Sequence, residues 1–202
     1  MGNDRQKGFF GPWRLLAGGA LLAVSVFGIV YAARASISYA VYYSAKYGDA
    51  AMNAAAVLER CERASSLYRF NYHLCSLATH TAYDAYQLTP ELDAPARARL
   101  LALTRAWCQR GLALNWYNRD LRWYKAQLLW EESPAKGLEF WREYVEWDFW
   151  FPANHAVLAG MYARSGDFEN ARKELGWTQG SDWYPSTSET IAQEEARRAA
   201  SR

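Results

Sequence analysis

Three cysteines and three histidines are the side chains best suited to chemistry, and their spacing decides what they could do. Cys61 and Cys75 lie symmetrically about a turn near Tyr68 and Arg69. A helical hairpin would therefore bring the two thiols together, as a candidate disulfide in an oxidising compartment. Cys108 lies too far along the chain for an easy bridge, and three buried thiols are the competing interpretation.

The sequence patterns of common enzymes are missing from the chain. It has no Gly-rich phosphate loop, no G-x-S-x-G, no H-E-x-x-H and no C-x-x-C-H. His73 and His80 lie near two cysteines, but without a C-x-x-C pair or His pairs at ligand spacing they predict no metal site. Adjacent acidic residues such as Glu131 and Glu132 point in different directions on a helix. We therefore predict a protein that is not an enzyme and uses no cofactor.

Tryptophan is unusually abundant, and nine of the ten Trp lie between Trp107 and Trp183. Trp116, Trp123 and Trp130 recur every seven residues, so the last two share a helix face. One interpretation is that helices packed between two neighbours need two apolar stripes. The other is a partner surface, since Trp and Tyr are enriched at interface cores and also stack on sugar rings. The candidate partner surface comprises Trp116, Trp123, Trp130, Trp147, Phe149, Trp150 and Phe151.

Among the elements that position these side chains, the first is an uncharged, mostly apolar run of nineteen residues from Leu15 to Ala33. At a rise of 1.5 Å per residue it would span about 28 Å, close to the hydrocarbon core of a bilayer. We predict a single transmembrane helix at 15–33 after a cytoplasmic tail at 1–14. Its small residues would allow close packing against other helices in the bilayer. They are Gly18, Gly19, Ala23, Gly28 and Ala32.

The flanking charges predict the orientation of this helix. Residues 1–14 carry three basic side chains and one acidic side chain, which favours retention of the tail in the cytoplasm. Ala33-Arg34-Ala35 loosely resembles a signal-peptidase site, so a cleaved secretory signal is the alternative. Either interpretation places residues 36–202 outside the cytoplasm. We expect a single-pass protein of the bacterial inner membrane with a periplasmic domain.

The charge balance argues against some partner classes. The chain has 23 basic and 21 acidic residues, and no segment concentrates Lys or Arg. Nucleic acid and anionic lipid are therefore poor candidates for the main partner.

The domain is predicted to be all-α, because apolar residues recur at spacings of three and four and alternating β-branched runs are absent. Gly48-Asp49, Asp93, Ser133-Pro134, Gly166-Asp167 and a capping box at Ser186 to Glu189 divide it into helices. The expected helices are 36–47, 50–67, 71–87, 95–113, 118–131, 135–149, 154–165, 168–177 and 187–200. They would form four hairpins within a repeat domain at 34–185, closed by a capping helix at 186–202.

The hairpins are related in sequence. The segment that begins at Cys61 and includes Asn71 aligns, at an offset of 47, with the segment that begins at Cys108 and includes Asn118. A third copy places Asn154 another 36 residues on. Each Asn is expected to cap the helix that opens the next hairpin.

The last hairpin resembles a tetratricopeptide repeat. The residues that match the consensus are Leu158, Ala159, Tyr162, Gly166, Asp167, Phe168, Ala171 and Leu175. Leu121, Ala126, Leu128 and Gly137 fit a degenerate copy, and Tyr39 to Leu67 retains mainly the Gly48-Asp49 turn. The resemblance implies a right-handed solenoid of about four hairpins, with a concave groove that binds peptides or protein surfaces.

Two functional hypotheses follow. The first is a non-catalytic scaffold or adaptor, whose span joins an integral membrane complex and whose repeats bind protein partners on the periplasmic face. The second is a glycan-binding accessory protein in envelope polysaccharide assembly, because the aromatic-rich repeats look similar to those attached to O-antigen polymerases and ligases.

Overall fold

The protein is described by a computed structural model that covers residues 12–48, 53–89 and 91–201. Within these ranges every regular element is a helix, so the predicted all-α class is confirmed. The helices are α1 Pro12–Tyr47, α2 Ala54–Leu67, α3 Tyr72–Leu88, α4 Ala94–Leu114, α5 Arg119–Glu132, α6 Pro134–Trp147, α7 Pro152–Ser165, α8 Phe168–Gly176 and α9 Trp183–Ala200.

The chain divides into two compact units between Ala78 and Thr79, within α3. In the first unit α1 packs on α2. In the second unit α4 packs on α5, α5 on α6, α6 on α7, and α9 on both α7 and α8. Consecutive elements are thus neighbours within each unit, as expected for helical hairpins joined by short turns.

Polar side chains begin several helices where the sequence predicts. Asn71 and Asn118 accept hydrogen bonds from the backbone N–H groups of Leu74 and Leu121, at 3.3 and 2.9 Å. Asp93 caps α4 and Asp167 caps α8 in the same way. Gly166 precedes Asp167 in the left-handed conformation with φ of 90°, which an L side chain rarely adopts. Asp49 lies outside the described residues.

Two predicted caps are wrong. Phe151 is the N-cap residue of α7, and Asn154 lies inside that helix, because its side chain is used to bind the preceding turn. At the last helix, Asp182 precedes the first turn, so α9 begins at Trp183. Ser186 then donates its hydroxyl to the Trp183 carbonyl and no longer caps a helix.

Helix α1 changes its surroundings along its length without a break. Residues 13–34 are exposed on every side, and α1 is long and apolar enough to cross a membrane, with a mean hydropathy of 2.2 over its best window. Beyond them Ser38, Tyr42 and Ala45 are buried at spacings of four and three, which is one face of the helix. The apolar segment and the first packed helix of the domain are therefore a single element.

Three clusters of buried residues hold the second unit together. One joins α3, α4 and α5 through Tyr83, Leu112 and Tyr124. The next joins α5, α6 and α7 around Trp141, which is almost fully buried. The last joins α7, α8 and α9 around Ile191. Burial is thus continuous from one hairpin to the next, and each cluster uses helices from two consecutive hairpins or the final helix.

Gly137 lets α5 and α6 approach very closely. A Cβ atom at this position would lie 2.8 Å from the Ala126 carbonyl oxygen and 2.9 Å from the Trp130 Cα. Both contacts are with backbone atoms, so neither can be relieved by rotating a side chain. In contrast, a Cβ atom on Gly160 in α7 would have no such neighbour within 4 Å.

This contrast predicts opposite effects of one substitution. Gly137→Ala is expected to lower the free energy of unfolding by about 1–3 kcal/mol, because the helices must separate. Gly160→Ala is expected to raise it by about 0.5–1 kcal/mol, because alanine is the better helix former in open space. Denaturant titration of the full chain in detergent, followed by tryptophan fluorescence, measures both. A Gly137→Ala protein at least as stable as Gly160→Ala would contradict the close approach.

Candidate functional site

Two turns of the second unit present aromatic side chains side by side. They are the α4–α5 turn, Asn115–Asn118, and the α6–α7 turn, Asp148–Phe151. Their rings meet, since the Tyr117 and Trp147 centroids are 4.9 Å apart and the rings are stacked. We call the exposed set the aromatic edge. It consists of Trp116, Tyr117, Trp147, Trp150 and Phe151, all more than a third exposed.

Arg122 holds the first of these turns. Its side chain is buried to 6% exposure, and its Nε donates to the Trp116 carbonyl oxygen at 2.7 Å. Its guanidinium carbon lies 4.3 Å from the Trp116 ring centroid and 4.7 Å from that of Tyr144. Burial lowers the pKa of Arg122, but a guanidinium keeps its charge at neutral pH. The cation is thus stacked between two rings and bonded to the turn.

His155 holds the second turn. It is 2% exposed, and its Nε2 lies 2.6 Å from the Phe149 carbonyl oxygen while its Nδ1 lies 2.7 Å from a Glu174 carboxylate oxygen. A carbonyl oxygen can only accept a hydrogen bond, so Nε2 must carry a hydrogen. The ring therefore ties the α6–α7 turn to α8 through a fixed protonation at Nε2.

These two contacts are the same device in consecutive hairpins. Arg122 and His155 each reach back six residues to the carbonyl of an aromatic turn residue, and they are 33 residues apart. Two further bonds obey this register. The Cys108 thiol donates to the Leu121 carbonyl and the Trp141 indole to the Asn154 carbonyl, each across thirteen residues. The third copy therefore aligns Asn154 with Leu121, three residues away from the predicted register.

The clamped turn leaves Trp150 in an unusual state. Its side chain is 89% exposed, although the backbone beneath it is bonded on both sides. Asn154 Nδ2 donates to the Asp148 carbonyl at 2.9 Å, and the Tyr144 hydroxyl donates to the Asp148 carboxylate. A large apolar side chain on a rigid turn has already lost most of the conformational entropy that binding would cost. That property is typical of an interface anchor.

The predicted surface residues separate into two groups. Trp123 and Trp130 are half-buried and pack against the inter-helix cores, which favours the packing interpretation for this stripe. Phe149 lies beneath the aromatic edge, where its ring meets His155 and Trp177 at 4.9 and 4.6 Å. The remaining four, Trp116, Trp147, Trp150 and Phe151, lie in or beside the two turns.

A cavity of about 420 Å³ opens between α4 and α5 beside this edge. Trp116 forms part of its wall, and Cys108, Leu112 and Leu128 supply apolar lining. Lys125 reaches its mouth with Nζ 5.3 Å from the Trp116 ring centroid. The volume lies in the range of sites that accept a small ligand or a large side chain.

The three cysteines are buried thiols with no disulfide among the described residues. Burial raises the pKa of Cys61 to about 12, and nearby Cys75 adds to the effect, so these two side chains are neighbours. Burial also raises the pKa of Cys108 to about 12. All of these values describe the reduced chain, and the Cys61–Cys75 disulfide stays a prediction.

The remaining predicted sites are placed as follows. Along the part of the chain that the structure describes, no three His, Cys, Asp or Glu side chains gather as a metal site would require. In α1, a Cβ atom on Gly18, Gly19 or Gly28 would meet nothing within 4 Å, and Ala23 and Ala32 are exposed. This face is open to a partner helix, and its role stays a prediction.

Sequence reasoning missed Tyr117, Arg122, His155 and Trp177. Tyr117 had a visible signal, since aromatic residues occur in each turn that joins one hairpin to the next, beginning with Tyr68 and Phe70. The two clamps had none, because a basic residue in the first turns of a helix normally points to solvent.

A comparison with protein-family models, with curated proteins and with solved structures finds no match to the chain. The case for a function therefore depends on the geometry described above.

The clamp at His155 predicts an asymmetry between two histidines of the second unit. His155→Leu would leave the Phe149 carbonyl and the Glu174 carboxylate without their partner, and should lower the free energy of unfolding by about 1–3 kcal/mol. His80→Leu removes an exposed pair with Asp84 and should change it by less than about 0.5 kcal/mol. Denaturant unfolding of the two variants checks this. Equal midpoints would contradict the clamp.

Proposed function

We propose that the protein is a non-catalytic, membrane-anchored adaptor that holds a protein partner against the outer face of the cytoplasmic membrane. The observation that supports this most is the continuity of α1 from its exposed apolar part into the packed first unit. Because no linker intervenes, the domain cannot range far from the bilayer. Such an anchor suits an accessory subunit of a membrane complex better than a freely searching receptor.

The repeat domain is a TPR-like solenoid in this proposal. The support comes from the 33-residue register shared by two bonded pairs of helices and by the two turn clamps. That period is close to the 34 residues of a tetratricopeptide repeat. The close approach at Gly137 and the Gly166-Asp167 turn fit the same pattern.

The aromatic edge is the proposed partner surface. Interface cores are enriched in Trp, Tyr and Arg, and the edge combines the first two with Arg119, whose guanidinium carbon is 4.4 Å from the Phe151 ring centroid. The adjacent cavity at Trp116 would receive an apolar side chain of the partner. We place the domain in the periplasm of a bacterium, with the N-terminus in the cytoplasm.

Glycan binding is the second candidate, and the stacked pair of Tyr117 and Trp147 favours it. Both rings are more than half exposed and nearly parallel, at an interplanar angle of 28°. A flat aromatic platform of this kind can stack against the apolar face of a sugar ring. The partner would then be an envelope polysaccharide.

Substitution of Trp150 tests the surface, with Leu88 as the matched control. Both side chains are apolar and strongly exposed, but Leu88 ends α3 at the other end of α4, which is about 31 Å long at its 21 residues. Trp150→Ala should abolish co-purification of an integral membrane partner in mild detergent, and Leu88→Ala should retain it. Neither change should alter the unfolding midpoint.

Two outcomes would contradict the adaptor proposal. One is a protein that purifies alone and monodisperse from gently solubilised membranes. The other is a partner that is retained equally by both variants. Quenching of tryptophan fluorescence by purified envelope polysaccharide, lost in Trp150→Ala, would instead support glycan binding.

A further inference from the structure

The turn between α2 and α3 lies against α1 at the end of its exposed apolar part. The ring of Tyr68 meets that of Tyr31 edge-on at a centroid distance of 5.4 Å, and it lies 6.5 Å from the ring of Tyr39. Phe70 follows in the same turn, with its ring 5.8 Å from that of Tyr68. The fold thus adds two aromatic side chains to the level of Tyr31, at a distance of some 37 residues along the chain.

Two arginines occupy the same level. Arg34 donates to the Ser66 carbonyl oxygen at 3.1 Å, near the C-terminal end of α2 where the helix dipole favours a cation. Arg69 is exposed in the turn, and its guanidinium carbon lies 4.9 Å from the Phe70 ring centroid. Aromatic rings and cations are thus combined at a single height along α1.

The height is where a bilayer surface would fall. Tyr31 lies sixteen residues beyond Leu15, which is about 24 Å along the helix axis and near the far side of a hydrocarbon core about 30 Å thick. Trp and Tyr are concentrated at this boundary in membrane proteins, where their rings are half in hydrocarbon and their polar groups reach water. Arginine side chains there meet lipid phosphates.

We propose that Tyr31, Arg34, Tyr68, Arg69 and Phe70 form an interfacial belt that seats the first unit on the lipid headgroups of the outer leaflet. This inference depends on the proposed membrane crossing by α1. Arg34 and the Tyr31–Tyr68 contact fix the turn to the helix, and Arg69 and Phe70 provide the contact with lipid. A second attachment beside the span restrains the tilt of α1 and the rotation of the domain about it.

The belt has consequences for charge that a count along the sequence misses. Arg69 is far from the span in sequence, so it has no part in setting topology during insertion, when only nearby charges act. It reaches the membrane surface only after the hairpin folds. The belt can therefore be basic on the outer side without opposing the predicted orientation.

Site-directed spin labelling tests the belt in the full chain. Phe70→Cys carries a nitroxide, and the control label is at Tyr47→Cys, an exposed position on the same helix about 24 Å beyond Tyr31. The chain is reconstituted in vesicles of phosphatidylethanolamine and phosphatidylglycerol. The native cysteines are buried, and the unsubstituted chain measures any background labelling.

Oxygen concentrates in the bilayer and a nickel chelate stays in water, so their collision rates with the label report its depth. The belt predicts an oxygen-to-nickel ratio severalfold higher at residue 70 than at residue 47. Adding Arg69→Glu should lower the ratio at residue 70 and leave residue 47 unchanged. Equal ratios at the two positions would overturn the belt, as would a ratio at residue 70 that Arg69→Glu leaves unaltered.

Extraction with alkaline carbonate separates this outcome from failure of the anchor itself. If the protein leaves the membrane, α1 does not cross it, and both the belt and the anchored adaptor are wrong. If it stays while the two labels behave alike, only the belt is wrong. Loss of the protein partner alone would contradict the adaptor and leave the belt standing.

Discussion

The structure depends on one constraint, which is that α1 must satisfy two different environments without interruption. Up to Arg34 the helix exposes apolar side chains on all sides, as a helix surrounded by lipid does. From Ser38 onward it buries one face against α2, as a helix at a protein core does. Nothing flexible separates the two regimes. The position of the first unit relative to a membrane is therefore set by helix geometry and by the contacts of Arg34 and Tyr31.

In the second unit, rigidity is produced by buried polar side chains. Arg122 and His155 are costly to bury, and each offsets that cost with hydrogen bonds to a turn and with ring contacts. The result is that the turns of the aromatic edge are held in place while their largest side chain, Trp150, remains in solvent. Stability invested beneath an exposed apolar group is more useful for recognition than for folding alone.

The sequence was informative wherever the determining interactions are local. The boundaries of the helices, the caps at Asn71 and Asn118 and the break at Gly166-Asp167 follow from neighbours within one turn. The capping pattern misled at Asn154, because that amide serves the preceding turn instead of its own helix. The clamps and the proposed belt join residues from different elements, so no local spacing could indicate them. The two interpretations of the Trp stripe could be separated only by burial, which spacing does not encode.

The continuity of α1 is the central claim, and a distance measurement tests it most directly. Spin labels at Leu16→Cys and Tyr47→Cys, both exposed, would be separated by 31 residues of helix in a chain reconstituted in lipid. A continuous rod predicts one narrow distance distribution centred near about 46 Å by dipolar electron spectroscopy. A broad distribution, or one centred well below that value, would show a hinge between the span and the domain and would contradict the account.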